Sequence, residues 1–348
     1  MIPNAIIGSL LGTALGDAAG LPYEGMTRAR TARFYPRRFL FGRNMTSDDT
    51  EHACIAAQAL IASAGEEKAF ERRMVTGLRW WVAAVPAGVG WATLRACVRL
   101  SVGVSPERSG VFSVGAGPAM RSTIIGAAVE DLQQMRRLVR ISTRLTHTDR
   151  KAEFAALGAA FAAWTAARRP EATADEFLAS LRSFFLDQPA EEWVWLVERA
   201  VSSVGRGEST SKFARAQGLE LGVSGYSYHV VPVAIHAWLS RRWDFRAAIE
   251  GCVRCGGDTD TTAAIAGGIV GAGVGRDGLP EDWLKALRDP PRSVEWMERL
   301  GRQLSEVAES GAAQEPMRLP AVPLLLRNAL FAGAAVGHGV RRMMPPYR

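Results

Sequence analysis

Cysteine is scarce in this chain of 348 residues: only Cys54, Cys97, Cys252 and Cys255 are present. Four thiols at these spacings make no disulfide framework, which fits a reducing cytoplasm. The pair Cys252-x-x-Cys255 has no second pair to complete a zinc site, so it reads as two small apolar side chains on one helix face. No Lys/Arg-dense stripe interleaved with aromatics occurs, which argues against a nucleic-acid partner. The formal charge is nonetheless +7 and the isoelectric point about 9.6, nearly all from Arg. That balance suits an anionic ligand such as a diphosphate, or reflects nothing more than an arginine-rich genome. No basic leader precedes the first apolar run, which Asp17 interrupts, so a signal peptide is not expected. The apolar segment 324–340 contains Arg327, Asn328 and His338 behind Pro323, which argues against a membrane span. A helix docking on the main body is the reading preferred here, with peripheral membrane attachment as its rival.

Strand signals are scarce too. What is present is helical: 48% of residues are hydrophobic and 22% charged, ample for a large core. Phe154, Leu157, Phe161 and Trp164 recur at helical spacing and Arg168-Arg169-Pro170 ends that run. Thr173-x-x-Glu176 is a capping box that predicts a further helix through Phe184. Gly8, Gly12, Gly16 and Gly20 fall every four residues, and Gly267, Gly268 and Gly271 repeat the theme. Each helical glycine costs about 1 kcal/mol relative to Ala, so the stripes predict two inner helices whose backbones approach closely. A membrane-type small-residue face is the rival reading, against which Asp17 stands. The fold class expected is all-α. One large domain, 1–290, is predicted, followed by an extension, 291–348, with a linker at 309–323 and an apolar tail.

Two acidic clusters stand out, Ser47-Asp48-Asp49-Thr50 and Gly256-Gly257-Asp258-Thr259-Asp260-Thr261. Each gathers two carboxylates and hydroxyls within a few residues, ahead of an Ala-rich apolar run. Carboxylate and hydroxyl oxygens suit a hard divalent cation such as Mg²⁺ or Mn²⁺ rather than zinc or copper. Either cluster alone reads equally as a capped, dipole-complementing helix start. A cap needs only one such residue, however, and both clusters carry the same excess. Four acids in one place repel one another unless cations neutralise them, so the pair predicts a two-metal centre. Small residues at 113–118 precede Ala119-Met120-Arg121 and present either a phosphate-binding loop or a plain turn.

Taken in order, Gly12-x-x-x-Gly16-Asp17 leading to Glu24, Ser-Asp-Asp-Thr at 47–50, Thr-His-Thr-Asp at 146–149 and Gly-Gly-Asp-Thr-Asp-Thr at 256–261 resemble the ADP-ribosylglycohydrolase family. The resemblance runs from about residue 5 to Trp283. It implies an all-helical bundle with two Mg²⁺ or Mn²⁺ in a cleft, held by Ser47, Asp48 and Asp49 from one side and Asp258, Asp260 and Thr261 from the other. The ions would grip the ribose hydroxyls beside the anomeric carbon and position a water. Glu24 and Asp49 would serve catalysis, Glu24 matching an acid that lies over the metals in some members. His147 would face the substrate, and the loop carrying Ser113, Gly115 and Gly117 would border the diphosphate. That loop departs from the family where Ala116 replaces a common Asn.

The expected function is hydrolysis of the bond between ADP-ribose and an acceptor, arginine on protein first. Serine-linked or small-molecule conjugates, a binding relative without turnover, and a phosphoester hydrolase are the alternatives. An ADP-ribosylated protein or other ADP-ribose conjugate is the partner implied. Nothing in the sequence sets the oligomeric state.

Overall fold

The structure is a computed structural model that describes residues 2–35 and 44–343; the last five residues of the predicted extension, 344–348, lie outside the described residues. Among the described residues no β-strand forms and eighteen α-helices do. They are α1 (Ile2–Gly20), α2 (Arg28–Phe34), α3 (Asp48–Ser63), α4 (Glu67–Ala83), α5 (Trp91–Ser101), α6 (Pro106–Ser109), α7 (Thr123–Ala128), α8 (Leu132–Arg144) and α9 (Arg150–Arg168). The second half contributes α10 (Ala174–Phe185), α11 (Glu191–Gly205), α12 (Thr210–Ala216), α13 (Ser227–Ser240), α14 (Phe245–Val253), α15 (Thr259–Val274), α16 (Glu281–Ala286), α17 (Val294–Ser310) and α18 (Ala321–Met343). The protein is all-α, as its periodicity predicts.

The glycine stripes meet one another. A Cβ added at Gly8, Gly12 or Gly16 would lie 2.2, 2.2 or 2.0 Å from the carbonyl oxygens of Gly271, Gly267 and Ala263, and one at Gly20 would lie 2.3 Å from that of Thr259. Helices α1 and α15 therefore touch backbone to backbone along their length. Dense dispersion contact of this kind offsets the helix propensity that glycine forgoes. The segment Pro3–Tyr23 is apolar and long enough to cross a bilayer, yet 94% of its most apolar window is buried inside the protein. Its small-residue face is thus matched by α15, not by lipid.

Around this pair the core is built from Ala, Leu, Ile and Phe. Helix α9 buries 14 of its 19 residues, more than the single stripe its large residues suggest, because alanines on its other faces let α7, α13 and α15 approach. Gly126 on α7 accommodates the Ala160 carbonyl, and Gly158 accommodates the Trp193 ring. Helix α10 opens on the expected box, with Thr173 and Glu176 capping each other's backbone. Cys252 and Cys255 are both buried, Cys255 just past the end of α14, and burial pushes the Cys255 thiol up to about 12.

The segment 311–320 is irregular but tied down. Gln314 N–H donates to Ile61 O and Gln58 Nε2 to Met317 O. Helix α18 then docks on the main body through Arg327, Asn328 and Phe331 and exposes Val322, Leu325, Leu326, Leu330 and Val336.

Candidate metal centre and cleft

The close packing of α1 on α15 decides where the acidic clusters go. Asp17 lies in the last turn of α1 and is fully buried. Its carboxylate accepts from Ser47 N–H (2.9 Å), Thr50 N–H (3.1 Å) and Thr50 Oγ1 (2.5 Å), and so holds the start of α3 against α1. Ser47 is the N-cap of α3, accepting from Asp49 N–H at 3.3 Å. The second cluster heads α15. Gly256 and Gly257 both have positive φ, +70° and +81°, and a Cβ at Gly257 would fall 1.9 Å from Val223 O. Only glycine permits that turn. It lets Gly257 exchange backbone hydrogen bonds with Gly25 and Met26 (2.8 and 2.7 Å) while Asp258 N–H donates to Val223 O. Glu24 is thereby carried to the edge of the second cluster.

The clusters meet. Thr261 Oγ1 donates to Asp49 Oδ2 at 3.3 Å, across 212 positions of sequence. Glu24, Asp48, Asp258, Asp260 and Thr261 line one cleft of about 560 Å³ with Ser113, Gly115, Gly117 and His147. Ser47 and Asp49 are buried beside it, joined through Thr261. The four aspartates of the two clusters are all raised. Burial is the largest cause for Asp48, Asp49 and Asp260, followed by mutual repulsion with Asp17, Glu24, Glu51 and Asp258. Burial also raises Asp258, only partly opposed by hydrogen bonds from Thr261 and Asp260.

Two oxygens test the fit of cations. Asp49 Oδ1 and Asp260 Oδ1 are buried and have no protein partner. A buried carboxylate oxygen left bare is costly, and a hard cation is the partner this donor set suits. The donors are divided between two helix starts: among the described residues no three His, Cys, Asp or Glu converge on one point. The hydroxyls of Ser47 and Thr261 lie beside these carboxylates, each within 3.3 Å of Asp49 Oδ2.

The far wall is the loop at 113–118. Its glycines allow a close approach: a Cβ on Gly115 would lie 3.0 Å from His147 Nε2, and one on Gly117 would lie 3.1 Å from Thr93 Oγ1 and 3.3 Å from His147 Cε1. The Gly115 N–H donates to Ser113 Oγ (3.2 Å) and the Ala116 N–H to Gly225 O (3.1 Å). These two backbone donors are thus occupied by the protein itself, a difference from a simple open cradle. The turn leads into a 3₁₀ segment, Ala119–Arg121, before α7.

Arg121, which sequence patterning did not single out, anchors this wall. It is fully buried and donates to Ser142 Oγ and O, Gly117 O and Thr146 Oγ1, with His52 Nδ1 at 3.1 Å. Thr146 in turn lies 2.9 Å from His147 Nδ1. Burial, then Arg121, hold His147 down to about 3, so its ring is neutral.

These shifts oppose one another in pH. Burial raises Asp17 to about 6, against hydrogen bonds from Thr50 and Ser47. Unfolded aspartates ionise near about 4, so above that the folded chain keeps protons the unfolded chain has lost, and stability falls as pH rises. Burial lowers His52, His147 and His236, the last to about 4. Below about 6.5 the unfolded chain binds those protons first, and stability falls as pH drops. Asp48, Asp49 and Asp260 are raised further than Asp17 and carry the same loss to higher pH, so in EDTA the melting temperature is expected to peak near about pH 6 and to decline towards pH 8. Mg²⁺, which favours ionised carboxylates, is expected to remove the alkaline decline. A flat profile in EDTA from pH 6 to 8 would show that the acids carry no such penalty.

A helical bundle with oxygen donors split between two helix starts and facing one cleft defines a class of protein suited to cation-assisted chemistry on a polar ligand. Comparison gives the particular family. The model of the ADP-ribosylglycohydrolase family matches residues 2–314, and the chain belongs to that family. Members of this family typically bind a dinuclear Mg or Mn centre. The chain is 29% identical over 313 residues to an uncharacterized protein of Archaeoglobus fulgidus, covering 86% of this chain and 95% of that one. It is 26% identical to ADP-ribosylhydrolase ARH3 of Xenopus tropicalis, covering 84% and 93%. A solved ADP-ribosylglycohydrolase-related protein complex superposes with a TM-score of 0.64 at 26% identity, over 88% of this chain and 99% of that one.

Proposed function

We propose that the protein is a metal-dependent hydrolase that cleaves the glycosidic bond between ADP-ribose and an acceptor, with arginine of a mono-ADP-ribosylated protein as the preferred acceptor. The observation that carries this reading is the Thr261–Asp49 hydrogen bond joining the two acidic clusters beside a cleft. The bare Oδ1 atoms of Asp49 and Asp260 support it. Two Mg²⁺ or Mn²⁺ held by Ser47, Asp48, Asp49, Asp258, Asp260 and Thr261 would supply Lewis acidity towards the ribose hydroxyls and a water.

The chain's own groups would do the rest. Water adds to the anomeric carbon as the bond from that carbon to the acceptor nitrogen breaks. Asp49 orients the attacking water, and Glu24, exposed at the cleft edge, is placed to take its proton. A guanidine leaves as a strong base and picks up its own proton from solvent. A serine acceptor would leave as an alkoxide, and Glu24 would then have to return the proton. The neutral His147 offers a hydrogen bond without adding positive charge, and the wall of Ser113, Gly115 and Gly117 leaves room for a diphosphate. Four buried, unpaired thiols accord with a cytoplasmic setting.

Mass detection of products from arginine- and serine-linked ADP-ribosylated proteins tests the reading. Free ADP-ribose is expected with Mg²⁺ and none with EDTA, arginine being the faster acceptor. Release of AMP would move the assignment to phosphoester hydrolysis. Bound metal with no product from either conjugate would leave a binding relative without turnover.

A further inference from the structure

The family match ends at residue 314, and α18 begins at Ala321. Among its described side chains only Arg327, Asn328 and Phe331 are buried. Its leucines at 325, 326 and 330 point to solvent. Such a helix adds little to the core, and its buried face is concentrated on the surroundings of the cleft.

Arg327 reaches behind the metal-ligating turn. Its guanidinium makes five hydrogen bonds: Nε to Asp289 Oδ1 (2.8 Å), Nη2 to Asp289 Oδ2 (2.8 Å) and to Thr46 O (2.5 Å), and Nη1 to Glu51 Oε1 (2.9 Å) and to Asn328 Oδ1 (3.2 Å). All five of its donors are thus used. Thr46 immediately precedes the turn and also donates from Oγ1 to Asp289 Oδ2. Glu51 closes the first turn of α3, three residues after Asp48, and is fixed further by Arg292 (3.1 Å) and Trp81 Nε1 (2.6 Å). Two arginines thus balance two carboxylates in a buried cluster in which every Arg327 donor is used and only Arg292 Nε lacks a partner, close to the condition under which buried charge is tolerated. Asp17 holds the N–H groups of Ser47 and Thr50 from α1, and Arg327 holds Thr46 O and Glu51 from the other side. The turn 46–51 is clamped between them.

The other two buried residues of α18 act nearby. Asn328 Nδ2 donates to Ala84 O (2.7 Å), at the start of the loop that carries Gly88, Gly90 and Trp91 to the cleft rim. Phe331 packs on Leu21, with Met45 and Ala87 beside it; Leu21 opens the turn that leads to Glu24.

We propose that Arg327 is a positioning residue for the ligands Ser47, Asp48 and Asp49, so that the C-terminal helix is a working part of the metal centre rather than an appended tail. This inference rests on the metal reading above. It acts through Thr46 and Glu51: the guanidinium fixes the ψ of residue 46 and the first turn of α3, and hence the directions in which the hydroxyl and two carboxylates point. Outer groups of this kind typically change metal affinity by about 10- to 100-fold.

The test is Mn²⁺ binding to the full-length protein, followed by the electron paramagnetic resonance signal of free Mn²⁺ at a temperature where circular dichroism shows each variant folded. Arg327→Lys keeps the buried charge balanced but cannot span Asp289, Glu51 and Thr46 O at once. It is expected to weaken Mn²⁺ binding about tenfold while the melting temperature in EDTA stays within a few degrees. Phe331→Ala removes the ring over which the Arg327 guanidinium lies (4.7 Å) but none of that guanidinium's hydrogen-bond partners; it loosens α18, is expected to weaken Mn²⁺ binding in the same direction, and decides the matter if the Lys variant does not fold. Affinity within twofold of the unmodified protein in the variants that fold would overturn the proposal. An unmodified protein that takes up no Mn²⁺ would overturn the metal reading itself.

Discussion

Replacing Asp260 by Ala is expected to abolish Mn²⁺ uptake and ADP-ribose release together, while making the metal-free protein slightly more stable. Asp260 sits in the first turn of α15, almost fully buried. Its carboxyl is raised by burial first and then by Glu24, Asp258, Asp49 and Asp17, and its Oδ1 has no protein partner. Without a cation this side chain adds repulsion to the folded state, which its hydrogen bond with Asp258 only partly offsets. With one, the attraction between unit charges about 4 Å apart is about 4 kcal/mol at an effective dielectric of about 20, and more for a dication. Loss of about 4 kcal/mol corresponds to about 10³-fold in affinity. In EDTA the variant is expected to melt a few degrees higher, since the residual acids repel less and each kcal/mol relieved raises the midpoint by about 2 °C or somewhat more. A variant that kept its activity would remove Asp260 from the site. One that lost stability in EDTA would show that the carboxylate has a structural partner.

The expectation for Asp260 could be drawn from sequence because its cluster is local. Asp258, Thr259, Asp260 and Thr261 lie within one helical turn, and the preceding Gly256-Gly257 signals a turn that no other residue adopts. The pairing of this cluster with Ser47-Asp48-Asp49 was also within reach, since glycine at every fourth position announces a helix whose backbone must touch another. The remaining parts of the site have no such periodic or local signature. In sequence Asp17 reads as a charge interrupting an apolar run and as the end of the Gly12-x-x-x-Gly16-Asp17 motif; its task, gathering the N–H groups of Ser47 and Thr50, depends on partners about thirty positions away. Arg121 gives no hint in sequence that it holds Thr146 beneath His147. Glu51, Asp289 and Arg327 are joined across separations of 38 and 276 positions. Their only trace is an Arg-Asn pair inside an apolar helix, the residues that also argue against a membrane span. The wall at 113–118 shows the opposite limit. Small residues predict a close approach correctly, but whether the vacated space faces a phosphate or the ring of His147 is settled by tertiary packing.

The glycine stripe yields a second large effect, and an internal control. A Cβ on Gly16 would sit 2.0 Å from Ala263 O, 2.5 Å from Ala263 C and 3.0 Å from Ala264 N, all backbone atoms of α15. No side-chain rotation relieves that contact, so Gly16→Ala must push α1 and α15 apart. Overpacking of this kind costs about 1–3 kcal/mol or more, against a gain of about 1 kcal/mol in helix propensity. The separation would act directly on the site, because Asp17 follows Gly16 and Asp260 lies one turn before Ala263. We expect Gly16→Ala to lower the melting temperature by several degrees and to weaken Mn²⁺ binding at least tenfold, and Gly16→Val to fail to fold. Gly273 lies near the end of α15, where an added Cβ meets Ala166 Cβ at 3.5 Å, ordinary contact. Gly273→Ala is therefore expected to raise the melting temperature and leave Mn²⁺ binding unchanged, the same substitution made where α15 meets α9 rather than α1. If the two variants behaved alike, backbone contact between α1 and α15 would not be what sets the distance between the acidic clusters.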